Sequence, residues 1–414
     1  MADRKFDVLI VGAGPAGAAT AIALGNSGLS VGLLDKAKFP RDKTCGDALS
    51  VDVLNQLRIL SPVLSDAFEQ FASKISSFGV KIVGPDGNHL DIPFVYNQQK
   101  RPGYVCSRMD FDNLLIQHLA AYPTVTLFEE HTVNRAEYVN DQICVHANDG
   151  SFSAPIVVGA DGAHSIVAKE LTNLRPDKDY YSAGLRVYCE GVSGFHPENF
   201  IELYFFQHIL PGYLWIFPLP DNNANVGIGM LSSAVSKKKV NLKAVLHELL
   251  STHPALEKRF KNARPKETVK GYGLPLGSKK RSLSGERFLL AGDAASLIDP
   301  FSGEGIANAI RSGRVAASHI LKCFEQHNFS KSFNAQYDKE IYRRMWKELR
   351  LSRALQQLCK YPWLFNFVVR KANQNEQVHQ LLVDALAHVD KKKSLVGLGF
   401  YYRLLFSRKL KAES

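Results

Sequence analysis

Short unbroken apolar runs alternate along this chain with glycine-bearing turns and with segments of helical periodicity. Val8-Leu9-Ile10-Val11 is the first run and predicts a parallel strand buried on both faces. Ala16 to Leu24 has helix-forming composition, and the run Leu29 to Leu34 predicts the next strand. Val51 to Leu60 reads as a helix with Leu54 and Leu57 on one face and Ser50 as its cap. Phe78 to Pro93 reads as a hairpin turning at Pro85-Asp86-Gly87-Asn88, and Cys106 to Leu115 as the entry to an amphipathic helix. Short strands are expected at Val125 to Phe128, Val133 to Val139, Ile143 to Ala147 and Ala154 to Val158. From Tyr180 to Leu231 the chain is aromatic and strand-rich, with strands at Ile201 to Phe206, Gly212 to Pro218 and Asn225 to Met230. Val240 to Phe260 predicts one helix with Leu242, Val245, Leu249 and Leu256 inward. Phe288 to Ala291 predicts a last strand, a helix follows to about Leu321, and the tail from Lys331 is helical.

The first turn carries chemistry. In Gly12-Ala13-Gly14-Pro15-Ala16-Gly17 the first glycine makes the tight turn, the second lets backbone approach a pyrophosphate, and the third packs helix on strand. The helix N-terminus then offers free N–H groups and a positive dipole end to phosphates. Asp35, with Lys36 beside it, closes the second strand 18 residues after Gly17, where a carboxylate accepts the ribose hydroxyl of an adenosine. Phe39 to Asp47 is a polar loop. Its Arg41 and Lys43 are candidate phosphate contacts or solvated cations, and Arg108, just before the later helix start, either meets a phosphate or the adenine or stands solvated in a helix-capping arrangement. Two more strand ends, Gly159-Ala160-Asp161-Gly162 and Ala291-Gly292-Asp293, repeat the pattern of glycine plus one carboxylate. Between Asp299-Pro300-Phe301-Ser302 and the following helix, Gly303-Glu304-Gly305-Ile306 points a helix N-terminus at something anionic. Alternation puts Tyr213, Trp215 and Phe217 on one sheet face, either a wall for a lipid-like or aromatic substrate or plain sheet core.

Bulk properties narrow the partner. The length of 414 residues suits two or three domains, and 45% apolar content supports a sizeable core. Six dispersed cysteines, with no C-x-x-C pair and no metal-ligand cadence, read as reduced thiols of a cytoplasmic protein. The apolar N-terminus follows Asp3 and Asp7 and is broken by Gly and Pro, so it reads as the nucleotide turn and not as a signal peptide. No run reaches the roughly 20 apolar residues of a membrane span. A net charge of +11 suits phosphates or acidic lipid headgroups, while no nucleic-acid module is recognisable. Lys391, Lys392, Lys393, Arg403, Arg408, Lys409 and Lys411 surround Leu398, Phe400, Tyr401, Leu404, Leu405 and Phe406. That tail either lies on the inner face of an anionic membrane or packs on the protein with its basic face solvated.

The three junctions together resemble the flavoprotein fold of para-hydroxybenzoate hydroxylase, and within it the geranylgeranyl reductase family. That family's aromatic-x-Trp-x-Phe-Pro segment followed by Gly-x-Gly stands here as Tyr213-Leu214-Trp215-Ile216-Phe217-Pro218 and Gly227-Ile228-Gly229, and its Cys-Gly dipeptide as Cys45-Gly46. The resemblance implies an α/β fold: a Rossmann-like FAD-binding domain of three-layer ββα architecture (1–75, 101–175 and 270–330), an antiparallel-sheet substrate domain (76–100 and 176–269), and C-terminal helices (331–414). It implies that Gly12 to Gly17 hold the FAD pyrophosphate and Asp35 the ribose, with Arg108 contacting the cofactor. Asp161-Gly162, Gly292-Asp293 and Pro300 would lie on the flavin side, with Gly303 to Ile306 along the ring. Cys45 would sit near the substrate end, catalytic or simply a buried thiol. Tyr213, Trp215, Phe217 and Pro218, with Tyr204, would line an isoprenoid-shaped cavity. The implied activity is reduction of C=C bonds in a polyprenyl lipid by hydride from flavin N5, electrons coming from NAD(P)H or another donor. Lys169 stands where relatives often carry Arg, which weakens the case for a dedicated nicotinamide site. Cys45, Tyr204 and His208 are the proton-donor candidates. Rival readings on the same fold are an aromatic or polyketide hydroxylase and a non-catalytic prenyl-binding escort; a halogenase lacks support, since its Trp-x-Trp-x-Ile-Pro stretch is not found.

Overall fold

The computed structural model describes residues 4–96 and 99–380. Its first sheet has the order Val125–Phe128, Val31–Leu34, Val8–Val11, Ile156–Gly159, Phe288–Leu290 and Ser284–Gly285, parallel throughout except at the last pair. The apolar runs produce it: Leu9, Ile10, Leu33, Leu34, Val157, Val158 and Leu289 are all fully buried, as strands covered on both faces must be. Helices Pro15–Leu24 and Ile306–Glu325 pack together against this sheet. The antiparallel strands Val133–Val139, Gln142–Ala147 and Gly150–Ala154, joined by Arg4–Lys5, contact its central strands and complete the three layers.

The second sheet runs Arg264–Pro265, Tyr181–Glu190, Asn223–Leu231, Gly212–Leu219, Ile201–Tyr204, Gly79–Val83 and His89–Pro93. Only the Ile201–Tyr204 and Gly79–Val83 pair is parallel, so the early hairpin is built into a sheet whose other strands lie far along the chain. Leu214, Ile216, Val226 and Ile228 fill one face beneath Leu242, Leu246 and Leu249. Tyr213, Trp215 and Phe217 occupy the other.

Three expectations are corrected, two of them by proline. Ala154 to Val158 is not one strand: the chain leaves the antiparallel sheet at Ala154 and enters the parallel one at Ile156, with Pro155 between. Val240 to Phe260 is not one helix but Leu242–Thr252 and Glu257–Phe260, because Pro254 holds His253 extended at ψ 126°. Lys270–Pro275, grouped from sequence with the nucleotide-binding part, pairs instead along Tyr181–Glu190. The expected tail helices appear as Lys331–Leu358 and Pro362–Gln374, whereas the basic segment from Lys391 to Lys411 lies outside the described residues. No described helix is long and apolar enough to cross a membrane, and no metal-ligating cluster exists among the described residues.

Candidate active site

Register brings the three glycine junctions together. Val11 stands opposite Leu34 and Gly159, and Gly159 opposite Leu290, so all four strands end at one level. The residues that follow, Gly12, Asp35, Asp161 and Asp293, therefore line one cavity of about 610 Å³ at the carboxyl edge of the sheet. Ligands of open α/β sheets bind at such an edge. The cavity is closed by Gly184 to Arg186, Trp215, Tyr272 and Leu274 from the second sheet.

The turn glycines divide into two kinds. Gly12 has φ +96°, and a Cβ there would stand 2.4 Å from the Ala160 carbonyl oxygen. A Cβ on Gly17 would stand 1.8 Å from the Gly12 carbonyl oxygen. Folding demands both. A Cβ on Gly14 would meet only Arg41 Nη2, at 3.7 Å, and Gly14 lines the cavity. Packing does not explain that missing side chain, which leaves bare backbone facing the cavity. Ala13, Pro15 and Ala16 complete the turn as expected, Pro15 at the first helical position.

Two arginines supply the guanidinium donors at this end. Arg108 holds Asp112 through two bonds of 2.7 Å, Nε to Oδ1 and Nη2 to Oδ2. Arg41 Nη1 lies 3.0 Å from the same buried carboxylate. Arg41 Nε also lies 3.9 Å from Asp35 Oδ1, so two guanidinium groups and two carboxylates stand together beside the glycine turn. The Asp35 carboxylate accepts from Ala13 N at 2.8 Å and Ala37 N at 2.9 Å, so it shapes the turn as well as facing the cavity; Lys36 stands exposed at the rim. Asp161 accepts from Ile166 N at 2.6 Å, capping Ile166–Leu171, while its other oxygen is buried without a partner. Burial raises its pKa. That orphaned oxygen beside Gly162 is an acceptor awaiting a donor.

Farther in, Lys43 Nζ sits 3.5 Å above the Tyr272 ring; burial lowers its pKa while the Asp293 carboxylate opposes the shift. Gly303, Gly305 and Ile306 line the cavity with the N-terminus of Ile306–Glu325, and Gly292 lines it next to Asp293. Cys45 and Gly46 form the opposite wall. The Asn225 amide clamps that wall: its Nδ2 donates to Cys45 O and to Asp47 Oδ2, both at 2.7 Å, and its Oδ1 accepts from Trp215 Nε1 at 2.9 Å. Asp47 Oδ2 also accepts from Tyr188 OH at 2.5 Å. Asp47 is fully buried, and burial pushes its pKa up to about 6.

Several predicted residues lie elsewhere. Tyr204 pairs with Leu214 and so shares the far face of the sheet, where its hydroxyl donates to Glu202 at 2.8 Å and its ring joins the opposite core. His208 is exposed on the turn Gln207–Ile209, away from the cavity. Of the aromatic segment only Trp215 lines the cavity. Tyr213 donates to Ser302 O at 2.5 Å, Phe217 packs beneath Gly46, and Pro218 is buried near the strand end. Pro300 O accepts from Gln356 Nε2 at 2.7 Å, and the Glu304 carboxylate accepts from Ser50 Oγ, so neither faces the cavity. Asp112, Asn225, Asp47 and Tyr272 escaped the sequence reading. Only Asp112 left a signal, its four-residue spacing from Arg108.

A family model described as an FAD binding domain matches residues 5–352. The digeranylgeranylglycerophospholipid reductase 2 of Methanopyrus kandleri is 30% identical over 346 residues, covering 80% of this chain and 81% of that protein. The menaquinone reductase of Mycolicibacterium smegmatis is 28% identical over 325 residues, 76% of each chain. Among solved structures, a geranylgeranyl bacteriochlorophyll reductase-like protein of Thermoplasma acidophilum superposes with TM-score 0.80 over 95% of this chain and 99% of that one, at 23% identity, a likeness of fold.

Proposed function

We propose, since this chain belongs to the FAD binding domain family and with it to the kin of the digeranylgeranylglycerophospholipid reductases, that it is an FAD-dependent oxidoreductase reducing C=C bonds of a polyprenyl lipid. The observation that carries the reading is the single cavity running from the bare backbone at Gly14 to Trp215 and Cys45. Reduced flavin, when bound, supplies a hydride to one alkene carbon. The protein's residues do the rest. Gly12 to Gly17, with Arg41 and Arg108 beside them, would hold the pyrophosphate, and Asp35 would orient the ribose. The N–H groups at Gly305 and Ile306, at a helix N-terminus lining the cavity, would offer positive charge to an anionic ring. Trp215, fixed by Asn225, presses the alkene into place and excludes water. Cys45, which alone among the three proton-donor candidates faces the cavity, holds the proton for the other alkene carbon.

An isolated alkene is a poor hydride acceptor, so positioning and exclusion of water are the protein's main contribution. The electrons come from NAD(P)H or another donor, and the basic C-terminal segment brings the protein to an anionic membrane surface where such lipids reside. Anaerobically reduced protein mixed with geranylgeranyl lipids should yield products heavier by pairs of hydrogens in mass spectrometry, with Cys45→Ala slower by at least tenfold. Unchanged lipid across phospholipid and quinone substrates, or oxygen uptake matched to hydroxylated product, would overturn the reading.

A further inference from the structure

Helices Ile306–Glu325 and Lys331–Leu358 are joined by a short loop and leave between them a groove of about 440 Å³ that shares no lining residue with the large cavity. Helical spacing builds it. Arg314, Ser318 and Lys322 recur every fourth residue on one helix; Gln336, Lys339, Glu340 and Arg343 do so at three and four on the other, with Arg344 beside them. Buried His319 and Tyr337 form the floor. Burial lowers the His319 pKa, so that ring brings no charge near neutral pH.

Five cations thus face one carboxylate. Glu340 is already engaged, accepting from Arg343 Nε at 2.7 Å and Arg344 Nε at 2.6 Å. Arg314 donates to a neutral acceptor, Gln56 Oε1, at 2.9 Å; burial and then the nearby charges of Arg344 and Arg311 depress its pKa. Lys322 and Lys339 have no ion pair among the described residues. Just outside the groove, Arg311 is neutralised by Asp52 at 2.5 Å, whereas the cations lining the concavity share the single carboxylate of Glu340. Like charges held together in a groove with a low-dielectric floor repel more strongly than on an open surface. An anion relieves that repulsion, and arginine forks match phosphate oxygens in geometry.

We infer that this groove is a second anion site, which binds a phosphoryl group apart from the flavin cavity. The inference is independent of the reductase reading. Inorganic pyrophosphate is titrated calorimetrically into the FAD-loaded full chain at fixed ionic strength, beside the double variant K322Q/K339Q, both exposed positions. In parallel, phosphatidylglycerol and phosphatidylcholine vesicles are sedimented with each protein. The expected result is one pyrophosphate site, weakened at least tenfold in the variant, with the flavin absorbance unchanged. Phosphatidylglycerol binding that falls in the variant identifies a lipid headgroup as the source; pyrophosphate binding without such a fall identifies a soluble phosphate ester. Failure of pyrophosphate to bind the wild type, or equal binding by wild type and variant, overturns the inference whatever the lipid reduction assay shows.

Discussion

Gly14 and Gly17 are three residues apart in one turn, and the structure assigns them opposite obligations. A methyl on Gly17 collides with the Gly12 carbonyl oxygen at 1.8 Å, backbone that cannot withdraw, so Gly17→Ala should cost more than about 3 kcal/mol. Gly14 has φ −70°, where alanine is unstrained, and open space beyond. Gly14→Ala should leave urea unfolding of the apoprotein within about 1 kcal/mol of wild type. Flavin affinity, read by fluorescence titration, should fall at least tenfold. Equal affinity would mean the backbone there approaches nothing. Asp47 supplies a second test at this scale. Its carboxyl keeps its proton in the fold up to about pH 6, whereas the unfolded chain releases it near the ordinary aspartate value of 3.8. The unfolded state therefore binds fewer protons between those values, and stability falls as pH rises through that window, by about 3 kcal/mol. Asp47→Asn can still accept from Tyr188 and Asn225 but does not titrate. Its stability relative to wild type should rise by that amount between pH 4 and pH 7 in denaturant midpoints, and a flat difference would show that Asp47 ionises normally.

Elements whose signal is local were legible in the sequence: apolar runs, a glycine turn and a closing carboxylate lie within 35 residues of the N-terminus and needed no partner to be read. What stayed hidden needs distant chain segments. The Asn225 bond to Asp47 spans 178 positions, and the position of Tyr204 depends on a register that places it opposite Leu214. The breaks at Pro155 and Pro254 were visible as residues, yet apolar periodicity on either side outweighed them. Arg186 shows how such distant segments are tied. It is fully buried on Tyr181–Glu190 and donates to both Asp42 oxygens, at 2.8 and 3.0 Å, and to Glu267, pinning the loop that carries Lys43 and Cys45 to the second sheet. Arg186→Met keeps the length and removes the charge. It should cost about 3 kcal/mol, because Asp42 and Glu267 are left crowded around Lys270 alone. Thermal unfolding measures that loss. The released loop should also raise the flavin dissociation rate, and an unchanged rate would show that the loop holds itself.

At the scale of the molecule, the cavity joins two sheets that otherwise have separate cores. Its phosphate end is built from the parallel sheet and its far end from Trp215, Tyr272 and Leu274 of the other. A ligand spanning it binds the folded, docked pair of sheets and not the unfolded chain, so it stabilises by about 2.7 kcal/mol at a concentration 100 times its Kd. The size of that effect is shared by any tight ligand; its distribution is not. FAD should raise the melting of both sheets together, giving one calorimetric transition whose midpoint climbs with flavin concentration. ADP-ribose reaches only the glycine turn and Asp35, and it should raise the parallel-sheet transition while leaving the other where it stands in the apoprotein. If ADP-ribose shifted both transitions as FAD does, the bonds of Arg186 to Asp42 and of Asn225 to Asp47 would suffice to couple the sheets without the ring. The flavin ring would then contribute nothing to holding Trp215 and Cys45 against the substrate.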